Sequence, residues 1–389
     1  MKELTGRRRF LKQISAIPAA TVVLPRLGSG AAAQKQEESP MIDEIFAAGE
    51  AMDSLQYSVA RYETISPAKT FNAPSRAQAI AWQRRLRSKL AQMLGNFPAQ
   101  REPLRARVLR TEQMDGYRRE QILFWSRPGL QVFGYLLVPD SFRAPGAAMI
   151  CLPGHGRGVD DIVGIDKDGK QRKRYGGYQN DFALQCLSQG LAAFAIEQLG
   201  FGHRRDDAAR KGSADRSSCQ PAAGAALMLG ETMAGWRTWD VIRAIDYLES
   251  RNEIDSKRIG CMGISGGGTV TLYAAAVEPR IKVAFLSGSF CTFRHSIYSI
   301  SHCIDNYVPG LLKIAEAYDV AGLIAPRALF AENGEEDPIF PVAGTRIAFE
   351  RTRKVYETLG KKENIGLEVF PGKHEFWGKE GFAFVKSHL

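Results

Sequence analysis

Ile259-Gly-Cys-Met-Gly-Ile-Ser-Gly-Gly-Gly268 decides the fold. Apolar residues run up to Met262, Gly-x-Ser-x-Gly follows, and Thr269–Val277 reads as a helix. Strand, tight turn and helix together are the context of a nucleophile elbow. A serine held at such a turn takes backbone angles that crowd its neighbours, so Gly263 and Gly267 omit the side chains that would clash. The turn lifts the Ser265 hydroxyl above the sheet, and the N-terminus of the next helix aims backbone N–H groups at any oxyanion formed there.

Upstream, Gln121–Trp125 and Val132–Val138 read as antiparallel strands joined near Pro128-Gly129. Ala147–Leu152 is a buried strand leading into Pro153-Gly-His-Gly-Arg157; Asp181–Gln189 is helical, Ala192–Ile196 a strand and Thr238–Leu248 a helix. Ile259–Met262, Val283–Leu286, Ala328–Phe330 and Leu367–Phe370 complete eight strands, with Val342–Leu359 a helix before the last. Strands alternating with helices imply a mostly parallel sheet covered on both faces, with ligands beyond the carboxyl ends of the strands.

Two further candidates fall at that edge. Asp337, in Asn333-Gly-Glu-Glu-Asp-Pro-Ile-Phe-Pro341, follows the Ala328–Phe330 strand, and its Asp-Pro-x-x-Pro turn presents the carboxylate. Glu335 and Glu336 compete for the same role or are solvated loop charges. His374, in Phe370-Pro-Gly-Lys-His-Glu-Phe376, follows the last strand. The chain order is then Ser265, Asp337, His374, the serine–acid–histidine order of a hydrolase triad. His374 would take the Ser265 proton and Asp337 would hold the imidazole tautomer. Of the two oxyanion donors, one is expected to be the Gly266 amide. The other comes from the loop after Leu152, with the Arg157 amide preferred and Gly156 second; His155 is expected to be structural.

Composition excludes other classes. At 389 residues, 44% hydrophobic and 24% charged, the chain can bury a large core, and no apolar run reaches the length of a membrane span. The net charge of +10 falls to +5 without residues 1–33, which hold six basic side chains and one acidic. Nothing interleaves basic with aromatic residues as nucleic-acid binding would. Residues 1–33 read instead as a twin-arginine export signal, on Arg7-Arg8-Arg9-Phe10-Leu11-Lys12 and the small residues Ala31-Ala32-Ala33, which implies a periplasmic or secreted protein. Residues 34–104 form a polar linker and a helical region, with helices expected at Ile42–Tyr62 and Arg76–Leu94; the catalytic domain spans 105–389.

Six cysteines permit disulfides in that compartment. Cys151, Cys186 and Cys261 lie in apolar stretches as core thiols, and Cys291 and Cys303 are the one pair near enough in sequence for a local bridge. Cys291, His295, His302 and Cys303 share a segment without zinc spacing, so neither metal nor organic cofactor is expected. His203–Ala234 is a long connection with the makings of a lid. Arg157, Arg204 and Arg205 either bind an anion such as a uronate or pair with Asp206, Asp207 or Glu197. Trp377 is a sugar-stacking platform or a packing residue.

Pro153-Gly-His-Gly, Gly263-Ile-Ser-Gly-Gly, Leu323-Ile-Ala-Pro-Arg-Ala, Asp337-Pro-Ile-Phe-Pro and the final Gly-x-His resemble the α/β-hydrolase superfamily. The nearer likeness is to its bacterial acetyl-xylan-esterase-like and dienelactone-hydrolase-like branch, which Cys291-Thr-Phe-Arg-His-Ser-Ile and Cys303-Ile-Asp-Asn-Tyr-Val-Pro-Gly also resemble. The resemblance covers about residues 105–389 and implies hydrolysis of small-molecule or carbohydrate esters through an acyl-enzyme, acetylated plant polysaccharide among them. Dienelactone hydrolases use a cysteine nucleophile, so Ser265 favours the esterases. The alternatives are a serine peptidase of prolyl-oligopeptidase type, for which the N-terminal region is too short and too helical, and a glucuronoyl-type esterase.

Overall fold

The computed structural model describes Asp53–Leu389, one compact unit. The export signal, the linker and the first part of the expected Ile42–Tyr62 helix lie outside the described residues. Nine strands form a single sheet: β1 (Arg107–Met114), β2 (Tyr117–Arg127), β3 (Leu130–Pro139), β4 (Gly146–Leu152), β5 (Ala192–Ile196), β6 (Ile254–Ile264), β7 (Val283–Ser287), β8 (Ala328–Gly334) and β9 (Ile365–Phe370). Their order is β1-β2-β3-β5-β4-β6-β7-β8-β9. The β1–β2, β2–β3 and β3–β5 pairs are antiparallel and all the rest parallel.

The count is nine where eight strands are expected from the sequence, and β1 is the addition. It is an edge strand reading Arg-Val-Leu-Arg-Thr-Glu-Gln-Met with no buried residue, so it carries none of the apolar alternation by which strands are recognised. Its charges suit an edge that must not recruit another chain.

From β4 the chain crosses to β5 on one side, then returns past β4 to β6 on the other. That reversal opens a crevice beyond the carboxyl ends of β4 and β6. Alternate residues of β4 face opposite layers, as a period of two requires. Ala148, Ile150 and Leu152 pack with Leu86, Val241, Ile245 and Leu272. Ala147, Met149 and Cys151 pack with Phe182, Cys186, Phe382 and Val385. Every residue of β4, β5, β7 and β8 is buried, which both-sided cover by helices produces.

The helix Arg76–Met93, capped by the Ser75 hydroxyl on the Gln78 amide, docks on this core. Its Leu86 and Leu90 are fully buried. Gln83 donates to the Gly322 and Ala325 carbonyls at 2.8 and 2.6 Å, and Arg87 to those of Ala276 and Leu323 at 2.8 and 2.7 Å. Truncating Leu86 to alanine would cost about 2–5 kcal/mol, the range for a buried leucine. Among the described residues no helix is long and apolar enough to cross a membrane.

Candidate active site

Ser265 stands between β6 and the helix Gly266–Val277 with φ 56° and ψ −125°, a strained conformation for a side chain with a Cβ. It is held from both sides: its amide donates to the Ser287 carbonyl and its carbonyl accepts from the Thr269 amide, each at 3.0 Å. The flanking glycines are required by space. A Cβ on Gly263 would lie 2.5 Å from the Gly267 backbone, and one on Gly267 would lie 2.0 Å from the Leu152 carbonyl oxygen. The elbow therefore packs on the end of β4, at the crevice.

Asp337 and His374 meet beyond β8 and β9, with His374 Nδ1 2.8 Å from Asp337 Oδ2. The other carboxylate oxygen accepts the amides of Ile339 and Phe340 at 2.8 and 3.0 Å, so the Asp-Pro-Ile-Phe turn fixes the acid. Asp337 is only 4% exposed, whereas Glu335 and Glu336 are solvent-exposed; burial separates the three acids that spacing leaves open. The His374 ring is nearly parallel to those of Tyr178 and Phe340, at 5.6 and 5.8 Å between centroids. An open depression of about 660 Å³, lined by Tyr178, Glu335, Glu336 and Lys373 among others, borders the imidazole.

Glu332, on β8, is not among the residues singled out from the sequence. It is fully buried and accepts from Ser287 Oγ at 2.7 Å, from the Trp377 amide at 2.9 Å and from the Gly378 amide at 2.8 Å. Burial pushes its carboxyl up to about 7 against the lowering effect of those three donors. It joins the strand whose carbonyl holds Ser265 to the loop that carries His374. An acid closing the apolar run of β8 is the one trace it leaves in the sequence.

The loop after β4 corrects one expectation. The Arg157 amide donates to Asp161 Oδ2 at 2.8 Å and so is not free to meet an oxyanion. Among the described residues the amides of His155 and Gly156 have no protein acceptor, and neither has that of Gly266, the first residue of its helix. Gly154 donates to Gln179 Oε1 at 2.7 Å, and Gln198 Nε2 donates to the Pro153 carbonyl. A Cβ on Gly154 would come within 3.1 Å of the Ser265 Cβ, so this loop faces Ser265.

The basic residues nearby are committed within the protein, though not to the carboxylates expected: Arg204 reaches Glu197 only at its backbone carbonyl, at 3.0 Å. Arg157 pairs with Asp161 at 2.6 Å and Arg204 with Asp240 at 2.7 Å. Arg205 donates to the carbonyls of Gly202 and Ser213, both at 2.8 Å. Glu197 instead accepts the amides of Val159 and His203 at 3.2 and 3.1 Å, in a pocket where Gly158 and Gly202 leave no room for a Cβ. Trp377 is 36% exposed, stacks on Phe370 at 5.1 Å and donates to Glu368. No bridge joins Cys291 and Cys303: the Cys291 sulfur lies 3.6 Å from the Pro341 carbonyl, while Cys303 gathers with His155, Cys219 and Asp305.

Comparison with known proteins places this geometry. Residues 56–350 match the model of the Abhydrolase family. A Bacillus subtilis (strain 168) protein, YtaP, named only as a hydrolase, is 27% identical over 284 residues, covering 70% of this chain and 88% of its own. Among solved structures, a Bacteroides fragilis NCTC 9343 protein assigned as an acetyl xylan esterase superposes with a TM-score of 0.70 at 19% identity, covering 82% of this chain and 83% of its own. A glucuronoyl esterase from Solibacter usitatus superposes with a TM-score of 0.61 at 15% identity, covering 84% and 99%. At those identities the two structures speak for the fold.

Proposed function

The chain belongs to the Abhydrolase family, and from that premise we propose that it is a serine carboxylesterase acting on carbohydrate esters. The observation that carries the reading is a serine at a strained elbow on β6, in a chain that also holds, beyond β8 and β9, a histidine whose Nδ1 is fixed by a buried aspartate. Ser265 attacks the ester carbonyl as His374 takes its proton. The Gly266 amide and an amide of the Pro153–Arg157 loop, Gly156 in place of Arg157, receive the oxyanion. The alcohol leaves with the proton from His374, and a water activated by the same imidazole releases the acid. Asp337 keeps Nδ1 protonated throughout. No cofactor enters these steps.

Support for a carbohydrate ester comes from the names of the structural relatives, an acetyl xylan esterase and a glucuronoyl esterase. Arg157, Arg204 and Arg205 are each bonded within the protein, which weighs toward a neutral acetyl group over a uronate. The Arg7-Arg8-Arg9-Phe10-Leu11-Lys12 segment supports export from the cell. The test is turnover on acetylated xylan, a glucuronate methyl ester, nitrophenyl acetate and a dipeptide anilide. Cleavage of acetyl esters with silence on the anilide supports the reading; cleavage of the anilide alone puts a peptidase first.

A further inference from the structure

We propose that His155, Cys219, Cys303 and Asp305 bind a divalent, thiophilic cation, of which zinc is the best fit, as a structural brace beside the candidate oxyanion loop. Spacing in the sequence gives no hint of this set. The loop after β4, the first turn of the helix Cys219–Met228 and the 3₁₀ turn Ile304–Asn306 with the residue before it bring the four together. One donor atom from each lies within 4.8 Å of all the others.

The four donor atoms are close enough together to share one ion. His155 Nε2 is buried and makes no well-aligned hydrogen bond, its charged neighbour being a carboxylate at ion-pair distance. It lies 3.3 Å from Asp305 Oδ2. Ligand atoms on bonds of about 2.0 Å at a tetrahedral angle stand about 3.3 Å apart, and two thiolates on bonds of about 2.3 Å stand about 3.8 Å apart. A modest contraction would close the four on an ion.

The surroundings supply what such ligands need. Asp305 Oδ1 accepts from Asn306 Nδ2 at 2.7 Å. Arg237, fully buried, donates to Asp305 Oδ2 at 2.6 Å and to the Cys219 sulfur at 3.3 Å, while its Nε and Nη2 also donate to the Leu199 carbonyl. Hydrogen bonds of this kind orient metal ligands. They also settle the charge: two thiolates and one carboxylate against a dication and one guanidinium sum to zero, which a buried site requires. Phe201 packs on both the His155 ring and the Arg237 guanidinium, at 4.6 and 4.4 Å. Ala223 and Met233 with Leu199 and Ile304 complete an apolar wall.

The donor types select the metal. Two sulfurs, one nitrogen and one oxygen suit zinc and disfavour magnesium or calcium, which take oxygen. Four protein ligands leave no open position, the arrangement of a structural and not a catalytic ion. Its place gives it consequence for the reaction all the same. The His155 ring lies 3.3 Å from where a Cβ on Gly266 would stand. The ion would therefore brace the Pro153–Arg157 loop against the start of the nucleophile helix and against the connection that carries Cys219.

The test is the metal content of the full chain, purified with zinc present under reducing conditions, by elemental and native mass spectrometry. One zinc per chain is expected, absent from a Cys219→Ser/Cys303→Ser double variant and retained in Cys291→Ser. Chelation should lower the melting temperature, with zinc but not magnesium restoring it. Should the double variant fail to fold, cobalt substitution of the wild type decides: intense thiolate charge-transfer bands with tetrahedral d–d bands support the site. A chain that stays free of metal, a double variant that keeps it, or a Cys219–Cys303 disulfide found in its place would each overturn the proposal.

Discussion

Gly288 stands against the imidazole of His374, and a Cβ there would lie 3.3 Å from both Nδ1 and Cε1 and 3.5 Å from Asp337 Oδ2. Its φ of +47° adds strain for any other residue. Gly288→Ala should displace the histidine–aspartate pair by a fraction of an ångström and reduce kcat roughly 10- to 100-fold, with little change in KM. Unchanged kcat would mean that the imidazole has room to move without penalty. The measurement is steady-state kinetics on a nitrophenyl ester beside a melting curve.

Ser265→Ala should lower kcat by about ten-thousand-fold or more while leaving the melting temperature nearly unchanged, because the hydroxyl makes no hydrogen bond within the protein that the fold depends on. A mutant that is still labelled by a fluorophosphonate, through a phosphonyl ester formed with loss of fluoride, would remove Ser265 from the nucleophile's role.

Asp337→Asn should cut turnover by about ten-thousand-fold, since an amide in place of the carboxylate favours the wrong imidazole tautomer. Glu335→Gln and Glu336→Gln, on exposed side chains of the same turn, should stay within about threefold of wild type. Equal losses across all three would point to a general charge effect of the loop in place of one orienting acid.

Glu332 contributes to the pH dependence of stability. Its carboxyl is raised from an ordinary 4.5 to about 7 in the folded protein by burial, so the folded state binds the proton more tightly than the unfolded chain. The stability this confers is complete below pH 4.5 and is lost as pH rises through about 7, in all about 3 kcal/mol at 1.4 kcal/mol per unit. Glu197 and Glu316, also raised to about 7 by burial, slope the same way. Glu332→Gln should therefore flatten part of the decline in denaturant stability between pH 4.5 and 7, whatever it does to absolute stability. A slope identical to wild type would show that Glu332 does not titrate there.

The parts of this molecule legible in the sequence are those whose chemistry is local. Gly263, Ser265 and Gly267 announce the elbow because the turn itself dictates their types, and Asp337 and His374 follow strands that their apolar neighbours reveal. β1 escapes because an edge strand with no buried face has no pattern to read. Asp337 is separated from Glu335 and Glu336 only by burial, which no spacing encodes. Arg157 misleads because the acceptor of its amide, Asp161, lies in the next turn of chain, and only the fold shows that the carboxylate bends back. His155, Cys219 and Asp305 meet because the strand order reverses at β4, a property of topology and not of any window of residues.

The three donors to Glu332 have a consequence in time. One of them, on Ser287, precedes it in the chain, and the other two, at Trp377 and Gly378, follow His374. A chain elongating from its N-terminus completes the elbow first, yet holds a carboxylate between β7 and β8 with most of its hydrogen-bonding unmet. Two of its three donors come only with the segment beyond the histidine, next to the loop that carries the candidate base. Order in the histidine loop is therefore tied, through Glu332, to a segment that follows it in the chain.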